Sequence, residues 1–180
     1  MKVLLDACVL YPTVMREVLL SVAAKGHFTP LWSDRILEEW ARAARKIGPT
    51  GEAQARAEVA LVRAAWPKAA VVDYQGIERR LYLSDENDIH VLAAAVKGNA
   101  DVIVTMNAKD FPRHVLAEEG LTRRDPDGFL WEIWSHHPED VSHAVAQVRQ
   151  TAERLSGQPW EMRALLKKAR LPKLGKALCS

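Results

Sequence analysis

A chain of 180 residues, 48% hydrophobic and 27% charged, has the size of one domain with room for an appendage and is too apolar for intrinsic disorder. No stretch approaches the ~18 uninterrupted apolar residues of a membrane span, and Met1 to Asp6 lacks the apolar length and cleavage site of a signal peptide. A cytoplasmic protein with a sizeable core is expected, its two thiols, Cys8 and Cys179, reduced and without metal-ligand spacing.

In chain order, Lys2 to Asp6 reads as a strand that ends abruptly on a carboxylate. Pro12 fits the first turn of a helix running to about Lys25, with Val14, Val18, Leu19 and Val22 at helical spacing and Gly26 as its stop. Phe28 to Trp32 is a short strand, and Ser33 caps a helix from Asp34 to about Lys46. After the turn Gly48-Pro49-Thr50-Gly51 an Ala-rich helix runs to Trp66-Pro67, and Ala69 to Val72 reads as another strand. Ser84 caps a helix from Asp85 to Lys97, and Asp101 to Thr105 is the clearest second core strand. Strands alternating with helices predict an α/β fold with a mostly parallel sheet covered on both faces. Beyond Asp125 the pattern becomes purely helical: Phe129 to Trp134, Pro138 to Leu155 and Pro159 to Leu171. This divides the chain into an α/β domain, residues 1–125, and a helical C-terminal extension, 126–180. From Met162 to Ser180 there are six basic residues and no acid, against 19 basic and 23 acidic residues before them. A polyanionic or acidic partner and a solvated basic face account for that tail equally well.

The acids carry the chemistry. Ligands of open parallel sheets bind at the carboxyl ends of the strands, and Asp6 and Asp110 stand at or just past two such ends. Asp85 and Asp88, three apart, share one side of a helix start. Glu38 and Glu39 lie early in the helix after Ser33, pointing about 100° apart. Carboxylates gathered in one crevice repel unless a cation compensates them. An oxygen-only donor set favours Mg²⁺ or Mn²⁺ over zinc, and such a site can activate water against a phosphodiester. Taken singly, Asp34, Asp85, Glu86 and Asp88 also read as acids that complement helix dipoles. Asp6 reads differently, since an acid that closes a strand is not expected to cap a helix.

Leu4-Leu5-Asp6-Ala7-Cys8-Val9-Leu10, Ser33-Asp34-Arg35-Ile36-Leu37-Glu38-Glu39-Trp40, Asp85-Glu86-Asn87-Asp88 leading into Val91-Leu92-Ala93-Ala94-Ala95, and Val104-Thr105-Met106-Asn107-Ala108-Lys109-Asp110-Phe111 resemble, in order, the four motifs of PIN-domain nucleases. The helical tail from Asp125-Pro126-Asp127-Gly128 is similar to the extension of a subgroup of VapC-type toxins. The resemblance implies a three-layer α/β/α fold and a cytoplasmic Mg²⁺- or Mn²⁺-dependent endoribonuclease. It further implies the toxin of a type II toxin–antitoxin pair, a homodimer with RNA as substrate and an antitoxin as partner. Carried over by position, the catalytic acids are Asp6, Glu39, Asp88 and Asp110, with Asp6, Asp88 and Asp110 on the metal and Asp85, Asn107 and Thr105 as auxiliaries. Cys8 stands where Asn, Ser or Thr is more usual, which puts one polar contact in doubt.

Other readings are weaker. An aspartyl-phosphate phosphatase of the haloacid-dehalogenase type wants a second Asp where this chain has Cys8. His90 points about 160° from Asp88 on a continuous helix and reads as packing. His136 and His137 offer a metal pair without partners, and Arg16 reads equally as a phosphate contact or a surface ion pair. A PIN-like module that binds RNA or protein without cleaving is the reading from another class.

Overall fold

A computed structural model describes residues 1–180. The apolar run after Lys2 forms β1 (Lys2–Leu5), whose Val3, Leu4 and Leu5 are fully buried. Helices α1 (Ala7–Leu10) and α2 (Thr13–Ala24) follow, then β2 (Thr29–Leu31) and α3 (Asp34–Ala43). Next come α4 (Gly51–Ala65), α5 (Gln75–Glu78), α6 (Ile89–Lys97), β3 (Val102–Val104), α7 (Arg113–Glu118) and β4 (Thr122–Arg124). The chain closes with α8 (Pro126–His136), α9 (Pro138–Ser156), α10 (Met162–Lys168) and α11 (Pro172–Leu178).

The expected parallel sheet is present, with order β2-β1-β3-β4 and every pair parallel. Leu4 aligns with Leu31 on one side and Ile103 on the other, so β1 is central and apolar on both faces. The chain leaves β1 for one neighbour and later returns for the other. The gap beyond the carboxyl ends of β1 and β3 is therefore the topological switch point, where sheets of this kind hold ligands. No helix is long and apolar enough to cross a membrane.

Residues 1–11 and 29–124 form one compact unit, holding the sheet; residues 12–28 and 125–180 form a second, wholly helical one. The helical unit thus takes α2 in addition to the expected 126–180.

Several boundaries differ from the sequence reading, for local reasons. The helix expected from Pro12 is preceded by a separate turn, α1, because Pro12 sits extended (φ −73°, ψ 122°) and has no N–H to continue it. The strand expected at Ala69–Val72 is reduced to one bridge, Trp32 with Ala70, between Pro67 and an Asp73 at φ 58°. The helix expected from Asp85 begins as a 3-10 turn, Glu86–Asp88, and turns α-helical only at Ile89. The stretch from Pro159 splits into α10 and α11 at Arg170, which is left-handed (φ 61°), with Pro172 opening the last helix. β4 went unforeseen because Thr122-Arg123-Arg124 carries no apolar run. Its backbone pairs with β3 while Arg123 donates to the carbonyls of Ala108 and Phe111.

Candidate active site

Asp6 follows β1 directly and is buried, 5% exposed. Contrary to the expectation that a strand-end acid would not cap, it is the N-cap of α1: Oδ1 accepts the Ala7 N–H at 2.8 Å. The short strand runs straight into a helical turn, so one residue serves both ends. Its other oxygen, Oδ2, accepts the Thr105 hydroxyl at 2.8 Å, and the Asn107 N–H donates to Thr105 Oγ1 at 3.0 Å. That chain of donors gives the hydroxyl a fixed direction, from Thr105 at the end of β3 toward the carboxylate at the end of β1. Burial pushes the Asp6 carboxyl above the usual aspartate range, while the bonds from Thr105, Ala7 and Cys8 pull it back.

Cys8 fills the corner between these residues. Its sulfur lies 3.5 Å from both Asp6 Oδ2 and Thr105 Oγ1 and accepts the Met106 N–H at 3.2 Å. Burial, followed by the Asp6 charge, pushes the thiol up to about 11, so it stays protonated at neutral pH. The polar contact placed in doubt by a cysteine at this position is thus supplied by sulfur.

The remaining acids arrive from three other segments. Asp88 closes the 3-10 turn and stands at the start of α6 without making a capping bond, whereas Asp85 caps that turn by accepting the Asn87 N–H at 2.9 Å. Residues three apart eclipse in a 3-10 turn, so the two acids share a side without an α-helical turn. The Asp88 carboxyl is raised to about 6, by burial first and then by the charges of Asp6, Asp85, Asp110 and Glu39. Four other carboxylates, those of Asp6, Asp85, Asp110 and Glu39, thus lie within electrostatic reach of Asp88. Asp110, half-buried, ends a 3-10 turn, Ala108–Asp110, that follows β3. Asn107 is exposed at the head of that turn.

Glu38 and Glu39 have different surroundings. Glu38 accepts from Arg56 through both oxygens (2.9 Å each) and from Arg42 (2.9 Å), and those arginines hold its carboxyl down at about 2. Glu39 instead faces His90, with Nε2 2.6 Å from Oε1, and Arg35, 3.8 Å away. The His90 contact is close but out of line with the ring N–H, so it is an electrostatic contact rather than an aligned hydrogen bond.

His90 is 1% exposed and belongs to this site's surroundings, which the helical-wheel reading missed. That arithmetic assumed 100° per residue through a segment that is 3-10 as far as Asp88. Arg16 also differs from expectation: it is 1% exposed within the helical unit, with Nε 3.6 Å from Glu17, and is not a surface arginine.

The donor types suit a hard divalent cation, and Asp6, Asp88 and Asp110, whose oxygens do not all lie within 4.8 Å of one another, would have to close on it. The donors are carboxylate oxygens and one hydroxyl, the thiol is protonated, and the neighbouring Arg42 and Arg56 are committed to Glu38. The Asp88 carboxyl is raised by burial first and by four neighbouring acids after it, and a cation bound there would offset both.

Residues 2–109 match the family model described as PIN domain. No curated protein and no solved structure was found to match the chain. The matched segment spans more than half of the chain, including β1, the Glu39 helix, the Asp85–Asp88 turn and Thr105. With acids from separate motifs gathered at the switch point of a parallel sheet, the chain belongs to the PIN domain family, a family that is in general one of metal-dependent nucleases.

Proposed function

We propose that this PIN domain is a Mg²⁺- or Mn²⁺-dependent endoribonuclease, with Asp6, Glu39, Asp88 and Asp110 as its catalytic acids. The observation that carries the reading is Asp6 at the carboxyl end of β1, bonded through Oδ2 to Thr105 just past β3, at the switch point of the sheet. Asp6, Asp88 and Asp110 are the residues that would hold the cation. When bound, it supplies Lewis acidity toward a phosphodiester oxygen and lowers the pKa of water.

The chain's own groups do the rest. Thr105 holds Asp6 Oδ2, so that carboxylate does not have to be ordered when ligand arrives. Glu39, half exposed and steered by His90, is assigned as the acceptor of the proton that attacking water releases. Asp85 and Asn107, both exposed, flank the acids as auxiliary polar groups.

Thr105→Val removes the hydroxyl and keeps the shape. Metal affinity, read by Mn²⁺ titration, is expected to fall 10–100-fold, the usual cost of losing a group that orients a ligand. An unchanged affinity would show that Thr105 does not act through Asp6.

Single-stranded or looped RNA is the proposed substrate, since unstacked bases offer the most readable RNA surface. The family resemblance supports the finer role, the toxin of a type II pair with a dimeric toxin and a protein antitoxin. The test incubates the purified chain with single-stranded RNA, duplex RNA and single-stranded DNA, in Mg²⁺, Mn²⁺ or EDTA. Cleavage confined to unpaired RNA and abolished by EDTA is expected. Equal cleavage of DNA would overturn the RNA assignment, and binding without cleavage would make the chain a non-catalytic module. Relief of cleavage by the product of an adjoining small gene is the expected sign of an antitoxin, and no relief would remove the toxin role.

A further inference from the structure

We infer that His27, His137 and Asp140, all in the helical unit, form a second metal site, one that takes a divalent transition metal of the zinc class. Each offers one ligand atom, and the three atoms lie within 4.8 Å of one another. His27 Nε2 is 2.9 Å from Asp140 Oδ2, across 113 positions of sequence. The His27 and His137 ring centroids are 4.5 Å apart with planes tilted by 39°, so the two imidazoles are immediate neighbours. A cation about 2.0–2.2 Å from each of three donors needs those donors roughly 3–3.5 Å apart. The 2.9 Å pair lies at the short end of that range and the 4.8 Å bound on the others beyond it, so the side chains would draw in around an ion.

The backbone presents the three residues ready for this. α2 stops at Ala24, and Gly26, at φ 89° in the left-handed region, turns the chain so that His27 follows at once. Phe28 anchors the turn, buried with its ring 5.2 Å from that of Phe129. His137 precedes Pro138, which opens α9, and Asp140 lies three residues on, on the same side of the first turn. As the N-cap residue, His137 makes no side-chain capping bond, so its imidazole is not spent on the helix end.

A plain ion pair is the simpler alternative, and Asp140 does have one: Lys25 Nζ is 3.9 Å from Oδ1. That lysine sits on the oxygen that does not face His27. Oδ2 is left for the imidazoles, and a cation there would take the place of the His27–Asp140 hydrogen bond, with the imidazole proton on Nδ1. Two imidazoles and one carboxylate suit zinc, nickel or cobalt rather than magnesium, and availability favours zinc. His136 is a different case: its Nδ1 lies 3.0 Å from the Glu132 carbonyl oxygen, back along its own helix. The role assigned to the metal is a clamp between the turn after α2 and the start of α9, with a coordination position left to water.

The full chain, stripped with a chelator and titrated with Zn²⁺ in excess Mg²⁺, which keeps the carboxylate site occupied, is expected to bind one equivalent and to melt at a higher temperature when loaded. His137→Ala and Asp140→Asn should each weaken binding at least about 10-fold and cancel the thermal shift, whereas His136→Ala should change neither. His137 is exposed and makes no cap, so its variant tests the site even if Asp140→Asn loosens the fold. Co²⁺ in place of Zn²⁺ should give visible bands without a thiolate transition, and these should vanish in His137→Ala. Asp88→Asn should keep this Mg²⁺-resistant equivalent and lose only zinc held by the carboxylates, so failure of this site and failure of the nuclease reading are separable. In excess Mg²⁺, undiminished zinc binding by His137→Ala, loss of the bound equivalent by Asp88→Asn, or no saturable binding by the native chain would each overturn the assignment.

Discussion

Asp6→Asn is expected to lower metal-dependent RNA cleavage by at least about 100-fold, beyond the 10–100-fold that an orienting neighbour costs, while leaving the chain folded. The two effects separate because Asp6 has two tasks. Oδ1 accepts the Ala7 N–H and starts α1, a task that an asparagine carbonyl performs as well. The charge that draws a cation is shared over both carboxylate oxygens, and an amide is neutral and presents N–H groups where Oδ2 faces Thr105 and Cys8. Thr105 Oγ1 already accepts the Asn107 N–H, so an amide nitrogen in place of Oδ2 costs the hydroxyl its acceptor and lowers stability modestly without unfolding the chain. Cleavage rates under saturating Mg²⁺ and Mn²⁺, beside the circular dichroism and melting curve of each protein, read the two tasks apart. A variant that folds normally and cleaves within a few-fold of the native chain would remove Asp6 from the chemistry.

The second large effect has the opposite sign for stability. Asp88→Asn is expected to raise the melting temperature of the metal-free protein at pH 7 while abolishing cleavage. The Asp88 carboxyl is raised from an ordinary 3.8 to about 6 by burial and by neighbouring carboxylates. Between those values the folded chain holds a proton that the unfolded chain has released. Stability of the metal-free protein therefore falls as pH rises from about 4 to about 6 and stays at the lower level above that window. Asparagine removes the unfavourable charge. The gain is about 1 kcal/mol once solvent screening at a half-exposed group is discounted, or about 2–4 °C for a chain of this size.

Metal reverses the ranking. Added Mg²⁺ should stabilise the native chain more than the variant, because the carboxylate that was a liability becomes a ligand. Metal binding should strengthen as pH rises through about 6, where Asp88 loses its proton. A lower melting temperature for the variant in EDTA at pH 7 would show that Asp88 is a structural partner and not a strained acid.

Much of this was legible because it is written in local patterns. Val3-Leu4-Leu5 and Val102-Ile103-Val104 can only be buried strands, and the apolar run Val91 to Ala95 can only be a packed helix. Ser33 announces α3 through its side chain, which accepts the Ile36 N–H at 3.2 Å. What escaped was whatever depends on a distant partner. β4 has no apolar signature and exists because β3 offers it an edge. His90 lies near Glu39 only because α6 starts later than its capping serine announced. His137 was legible as half of a metal pair, but its partners lie on the turn after α2 and within α9.

The sequence by itself determined the residue types: a set of carboxylates on segments with no local need for all of them, in the order of a known nuclease family. It also determined the parallel α/β architecture, since short apolar strands alternating with helices have few other ways to be buried. Only the tertiary structure decided which acids share a field and which are neutralised. Glu38 and Glu39 are adjacent and chemically identical, yet Arg56 and Arg42 hold one at about 2 while the other faces His90 and the aspartates. The physical reason is that a carboxylate's role is set by the charges and solvent within a few ångströms, and those neighbours are fixed by packing, not by sequence spacing.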